Sequence, residues 1–218
     1  MDKTYAFIIN WNRLDLPKKM ADYLVDCEGI IPIIVDNGST YKPLLEYYKN
    51  CPHKVELMGS NWGQLVVSYS GLLEKYGITE RFIISDPDLD LSGIPKDFLH
   101  ILHLGLDRHS FAHKAGFSLE INDVPDSDIK PQILAYESNA WTKKLDEYFY
   151  SAYIDTTFCL MRKNYHDFPS IRTDRPYTAK HVPWYYTKDN LPDDERYYLE
   201  HSTGHSAYAD GIRKIVGI

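Results

Sequence analysis

Apolar residues in the first ninety positions fall into short runs separated by amphipathic stretches. Tyr5-Ala6-Phe7-Ile8-Ile9-Asn10, Ile30-Ile31-Pro32-Ile33-Ile34-Val35, Lys54-Val55-Glu56-Leu57-Met58 and Arg81-Phe82-Ile83-Ile84-Ser85 are too short for helices and suit buried strands. Between the first two, a helix is predicted from Leu16-Pro17, with proline accepted in the first turn, Met20, Tyr23 and Leu24 at helical spacing and Gly29 as the stop. A second helix is predicted around Leu44–Tyr48. A third runs from Gln64 to Tyr76, with Leu65, Tyr69, Leu72 and Leu73 on one face and Gly77 at its end. The order β-α-β-α-β-α-β predicts an α/β fold around a largely parallel sheet.

The second half is less regular. A helix is predicted from Asp97 to Leu106, a strand across Ala112–Ile121 and a loop over Asn122–Lys130. A helix over Ile133–Tyr148, with Trp141 on its apolar side, and a strand over Ile154–Arg162 follow. Ile171–Tyr177 and Lys180–Tyr186, rich in Arg, His and aromatics beside Pro176 and Pro183, read as a constrained binding loop. No repeat, low-complexity stretch or linker divides the chain. It reads as one domain over 1–218, with a front half at 1–92 and a back half at 93–218.

Composition narrows the class. At 218 residues the chain is long enough for one well-cored domain, and its 25% charged and 44% apolar residues are ordinary for a globular protein. The net charge of -7 argues against a nucleic-acid binder, whose footprint is basic, so no nucleic-acid partner is expected. An anionic substrate would have to be met by local cations or a metal. Eighteen tyrosines offer flat faces with polar tips, which suit sugar or base rings as well as plain cores. Cys27, Cys51 and Cys159 are widely spaced with no C-x-x-C, so a reducing, cytoplasmic setting is expected. No signal peptide or apolar run of membrane-spanning length occurs. The ending at Gly217-Ile218 leaves open a domain of a longer protein.

The fourth apolar run ends in Asp86-Pro87-Asp88-Leu89-Asp90. Pro87 pushes Asp86 toward an extended conformation, in which residues two apart share a side, so Asp86, Asp88 and Asp90 are expected to converge. Clustered carboxylates repel unless a cation or protons compensate, and oxygen ligands favour Mg2+ or Mn2+ with positions free for phosphate oxygens. A solvated acidic turn is one competing reading. A calcium loop is another, with Asp86, Asp88, Asp90 and Asp97 at positions 1, 3, 5 and 12, but Leu91 stands where such a loop needs glycine. A metal site at the carboxyl end of a central strand agrees with where open α/β sheets place ligands. Two other turns attract notice: Asp36-Asn37-Gly38-Ser39-Thr40 after the second strand and Gly59-Ser60-Asn61-Trp62-Gly63 after the third. Each also reads as an ordinary turn.

With these pieces in order, the sequence resembles the nucleotide-sugar glycosyltransferases of the GT-A fold, near the large family 2. Ile8-Ile9-Asn10-Trp11-Asn12-Arg13, Val35-Asp36-Asn37-Gly38-Ser39-Thr40, Asn61-Trp62-Gly63 and Ser85-Asp86-Pro87-Asp88 are similar to its successive motifs. Ala115-Gly116-Phe117-Ser118-Leu119, Ile154-Asp155-Thr156-Thr157-Phe158 and His181-Val182-Pro183-Trp184-Tyr185 resemble a narrower bacterial and viral subgroup. The resemblance implies a Rossmann-like GT-A domain with a mostly parallel mixed sheet flanked by helices. It implies a nucleotide-sugar donor, favouring a UDP-sugar, and a glycan or other hydroxyl acceptor. Asp36 would accept from the base; Asn12, Arg13, Asn61 and Gly63 would line the nucleotide pocket. Asp86 and Asp88 would hold Mn2+ or Mg2+, with His181 as third ligand and His205 as the next candidate.

A nucleoside diphosphate leaves only if its developing charge is neutralised, by the metal as Lewis acid and by Arg172 or Arg175. An inverting enzyme also needs a carboxylate to deprotonate the acceptor hydroxyl. Asp155 is the first candidate for that base, Glu120 its rival, and Asp194 and Glu195 are weaker ones. The family's late Glu-Asp pair has no clear counterpart beyond Asp193-Asp194-Glu195, which reads as a helix start. A metal-dependent nucleotidyltransferase or phosphatase, and a non-catalytic module that kept the pocket, are the alternatives.

Overall fold

The computed structural model describes residues 3–163, 169–202 and 209–218. Strands β1 (Thr4–Asn10), β2 (Ile30–Asp36), β3 (Lys54–Leu57) and β4 (Arg81–Ser85) are connected through helices α1 (Asp15–Val25) and α2 (Lys42–Tyr48) and the single turns α3 (Val66–Tyr69) and α4 (Leu72–Lys75). Then come β5 (Leu89–Asp90), α5 (Phe98–Arg108), β6 (Lys114–Gly116), β7 (Ser118–Leu119) and α6 (Lys130–Glu137). The chain continues through β8 (Phe149–Ser151), β9 (Cys159–Arg162), β10 (Ser170–Thr173), β11 (Thr178–His181), α7 (Asp193–His201) and α8 (Ala209–Val216).

The large sheet has the order β3-β2-β1-β4-β9-β6-β10-β8. Its first four strands are parallel; β9 runs antiparallel between β4 and β6, β10 is parallel to β6, and β8 closes the far edge antiparallel. A small sheet, β5-β11-β7, stands apart from it. Both faces of the large sheet are covered, which is why β1 reads as a continuous apolar run. Ala6 and Ile8 pack on the face shared with Met20, Leu24 and Phe98; Phe7 and Ile9 pack on the other, with Val66, Val67, Leu72 and Leu73. Helices flanking a mixed sheet give the α/β class the sequence predicts. Among the described residues, no helix is long and apolar enough to cross a membrane.

Five expectations need correction. The helix predicted over Gln64–Tyr76 is broken, because Gly71 at φ +79° resets the helical phase between α3 and α4. Val66 and Val67 are buried in place of Leu65 and Tyr69, which are exposed. The strand predicted over Ala112–Ile121 splits at Phe117, whose N–H donates to the Phe158 carbonyl at 3.1 Å, so β6 stays in the large sheet while β7 turns to the small one. The helix predicted over Ile133–Tyr148 starts at Lys130 and ends at Glu137, followed by one tight turn through Trp141. Asp146 then accepts from the Tyr148 and Phe149 N–H groups at 2.8 and 3.0 Å and reverses the chain into β8. The strand predicted from Ile154 begins only at Cys159, because Asp155 Oδ1 accepts from Thr157 N–H at 2.9 Å and from its hydroxyl at 2.7 Å, closing a turn. The stretch expected to be a loop after Ile171 contains β10 and β11.

Candidate functional site

The chain leaves β1 for β2 on one side while β4 pairs with β1 on the other, so a crevice opens between the carboxyl ends of β1 and β4. Arg13 follows β1, and Asp86, Pro87 and Asp88 follow β4. The Asp86 N–H donates to the Thr156 carbonyl at 2.9 Å, which ties the acidic turn to the segment carrying Asp155. The Val182 N–H donates to the Asp88 carbonyl at 2.9 Å, and His181 pairs with Leu89 across β5 and β11. His181 Nε2 thereby comes within 3.5 Å of Asp88 Oδ2. Asp90 does not join this group. It is exposed and turns away to accept from the Ser92 N–H at 2.9 Å, so the expected convergence of three carboxylates holds only for two of them.

A cavity of about 470 Å3 occupies the crevice, lined among others by Arg13, Asp86, Asp88, Asp155, Arg172 and His181. Burial and then the neighbouring carboxylates of Asp88 and Asp155 push the Asp86 carboxyl up to about 7. Burial also acts on Asp88, but His181 and Arg13 hold its carboxyl well below the usual range. Arg13 Nη1 lies 3.2 Å from Asp88 Oδ2, while its Nε and Nη2 donate to Glu195 at 2.7 and 2.8 Å and its guanidinium stacks 3.6 Å over the Tyr198 ring. Arg13 lines the cavity, but carboxylates hold it from two directions. Arg172 is buried; it donates from Nε to the Tyr153 carbonyl and from Nη1 to Glu137 Oε2, both at 2.8 Å.

The remaining predicted residues lie elsewhere. Asn12, at φ +59°, accepts from the Thr40 and Tyr41 N–H groups at 2.6 and 3.0 Å. Asp36 is buried and accepts from Gly38 N–H, Ser39 N–H and the Tyr48 hydroxyl at 3.1, 2.9 and 3.0 Å. Asn61 accepts from Gly63 N–H at 2.8 Å, and the Gly63 carbonyl accepts from the Asn37 amide at 2.9 Å. These four residues brace the turns beyond β1, β2 and β3 and do not line the cavity, although Gln64, next in the chain, does. Gly38 is required there, since a Cβ at its φ of +76° would press on the Ser60 backbone.

Arg175 and Glu120 satisfy each other in a bidentate pair at 2.9 and 2.8 Å, away from the cavity. Asp194 accepts from the Leu14 and Asp15 N–H groups at 2.7 and 2.9 Å, capping the start of α1, and Glu195 is buried on Arg13. His205 lies outside the described residues. Glu137, Tyr136 and Gln132, from α6, line the cavity without having been singled out in the sequence. In the sequence Glu137 is one acid within a predicted helix, and its partner Arg172 is 35 residues away.

The donor set joins two carboxylates to an imidazole, which suits a hard divalent cation, and the mutual repulsion felt by Asp86 is what such a cation relieves. Among the described residues, no three His, Cys, Asp or Glu side chains form a group able to hold a metal ion as they stand.

No family model and no curated protein matches the chain. Among solved structures, the crystal structure of residues 1–349 of TarS from S. aureus is similar at 13% identity and a TM-score of 0.42, covering 98% of this chain and 70% of that one.

Proposed function

We propose that the chain is a metal-dependent glycosyltransferase that moves a sugar from a nucleoside-diphosphate donor, UDP-linked by preference, to a hydroxyl of a glycan or other acceptor. One observation carries this reading above all. Asp86 and Asp88 are crowded together at the carboxyl end of β4, inside a cavity that also holds Arg13, Arg172 and His181. The resemblance of the motifs before and around that turn to the family-2 glycosyltransferases supplies the donor class. Asp86, Asp88 and His181 would hold Mn2+ or Mg2+. When bound, the cation supplies Lewis-acid neutralisation of the departing diphosphate.

The protein's own groups do the rest. Arg172 Nη2 makes no hydrogen bond among the described residues, so it is available to a phosphate oxygen. Arg13 fixes Asp88 in place through the 3.2 Å contact. The acceptor hydroxyl must lose its proton as it attacks the anomeric carbon, and the free carboxylate oxygens of the cavity are the groups able to take it. Asp155 is one such group, and transfer with inversion is expected.

Calorimetric titration with UDP tests this reading. Binding is expected only with Mn2+ or Mg2+ present, and the double substitution Asp86→Ala/Asp88→Ala is expected to abolish it. Equal binding with and without metal, or no binding at all, would remove the basis for the assignment.

A further inference from the structure

Resting on that function, the cavity contains a carboxylate that the motif-bearing stretches leave unexplained. Glu137 ends α6, is 4% exposed and lines the same cavity as Asp86, Asp88 and Asp155. Its Oε2 accepts from Arg172 Nη1 at 2.8 Å, and Arg172 is itself fixed by donating from Nε to the Tyr153 carbonyl at 2.8 Å. Among the described residues Oε1 accepts no hydrogen bond, yet it is not among the polar atoms sealed away from solvent. It therefore opens onto the cavity. One oxygen held by an orienting group and the other presented to the substrate is the arrangement a general base requires.

Asp155 is differently placed. Its Oδ1 closes the turn before β9 through Thr157, and its charge falls on Asp86. Asp155 therefore sits on the side of the cavity that holds Asp86 and Asp88. On the Glu137 side, Gln132 and Tyr136 line the cavity, and neither the Gln132 amide nor the Tyr136 hydroxyl makes a hydrogen bond among the described residues. Neutral polar heads beside an aromatic face are what a hydroxyl-rich acceptor needs.

We propose that Glu137, held by Arg172, is the base that takes the proton from the acceptor hydroxyl, and that Asp155 serves the metal side. The hydroxyl proton passes to Glu137 Oε1 as the oxygen forms its bond to the anomeric carbon. The bond from that carbon to the diphosphate oxygen breaks, and its electron pair leaves with the nucleoside diphosphate. Glu137 then returns the proton to solvent.

The test compares Glu137→Gln and Asp155→Asn with the unaltered protein. UDP binding with Mn2+ is followed by calorimetry, and UDP release to water is followed from UDP-glucose, UDP-galactose and UDP-N-acetylglucosamine. Glu137→Gln keeps an oxygen for Arg172, so UDP affinity should stay within about twofold while release slows by about a hundredfold or more. Asp155→Asn should instead weaken metal-dependent UDP binding. Release by Glu137→Gln at the unaltered rate overturns the assignment, and so does loss of UDP binding in that variant, which would mark Glu137 as structural. An unaltered protein that binds UDP but releases it from none of the three donors overturns it as well. Failure of the unaltered protein to bind UDP sinks the glycosyltransferase reading itself.

Discussion

Gly116 shows how little room the site's supports leave. A Cβ there would run into the Phe158 carbonyl and the Ile154 side chain, and would lie 2.7 Å from Cys159 Cβ. These are the atoms of the turn that carries Asp155. Gly116→Ala is expected to destabilise the fold by about 2 kcal/mol through overpacking, seen as a lower guanidinium midpoint, and to displace Asp155. No change in midpoint would mean that the turn shifts freely. The need for glycine was not legible in the sequence, where Gly116 sat inside a predicted strand. Asp86 and Asp88 were legible, because acidic residues directly after an apolar run at a sheet's carboxyl edge are unusual. Glu137 was not, because its meaning depends on Arg172, which only the folded sheet brings near.

At the scale of elements, α7 fastens the far end of the chain to the beginning. Asp194 caps the first turn of α1, and Glu195 holds Arg13 from a fully buried position. Breaking one partner of a buried ion pair leaves an uncompensated charge, so Glu195→Gln should cost about 3 kcal/mol of stability, measured by denaturant unfolding. A loss of only a few tenths would make the pair dispensable. The α7 start was readable from Asp193-Asp194-Glu195; what it caps was not. The first four strands and first two helices were readable, since each carries a run or stripe of apolar residues. β8, β10 and β11 were missed because strands of three or four residues, as in Ser170–Thr173 and Thr178–His181, carry too few positions to reveal a period.

Across the whole molecule, many exposed or half-buried carboxylates are held below their ordinary range by hydrogen bonds. Burial tends to raise Asp146, but the Tyr148 N–H, His109 and the Phe149 N–H together hold its carboxyl lower. A carboxyl with a lower folded than unfolded value adds stability above its unfolded value, about 4, and loses it as pH falls through the folded value. The guanidinium midpoint should therefore decline on acidification below about pH 4, and Asp146→Asn should make that decline shallower. An unaltered acid limb in the variant would show that the native contacts of Asp146 add nothing. A wider consequence follows from β9, which lies antiparallel against the outer edge of β4. The segment before Asp86 and the segment after Asp155 belong to one ladder, from Arg81↔Arg162 to Ile84↔Cys159. A front half cut free at residue 92 would bare the apolar edge of β4 and invite aggregation. The two halves are therefore not interchangeable cassettes, because each supplies the other's strand partner along a seam that neither can surrender.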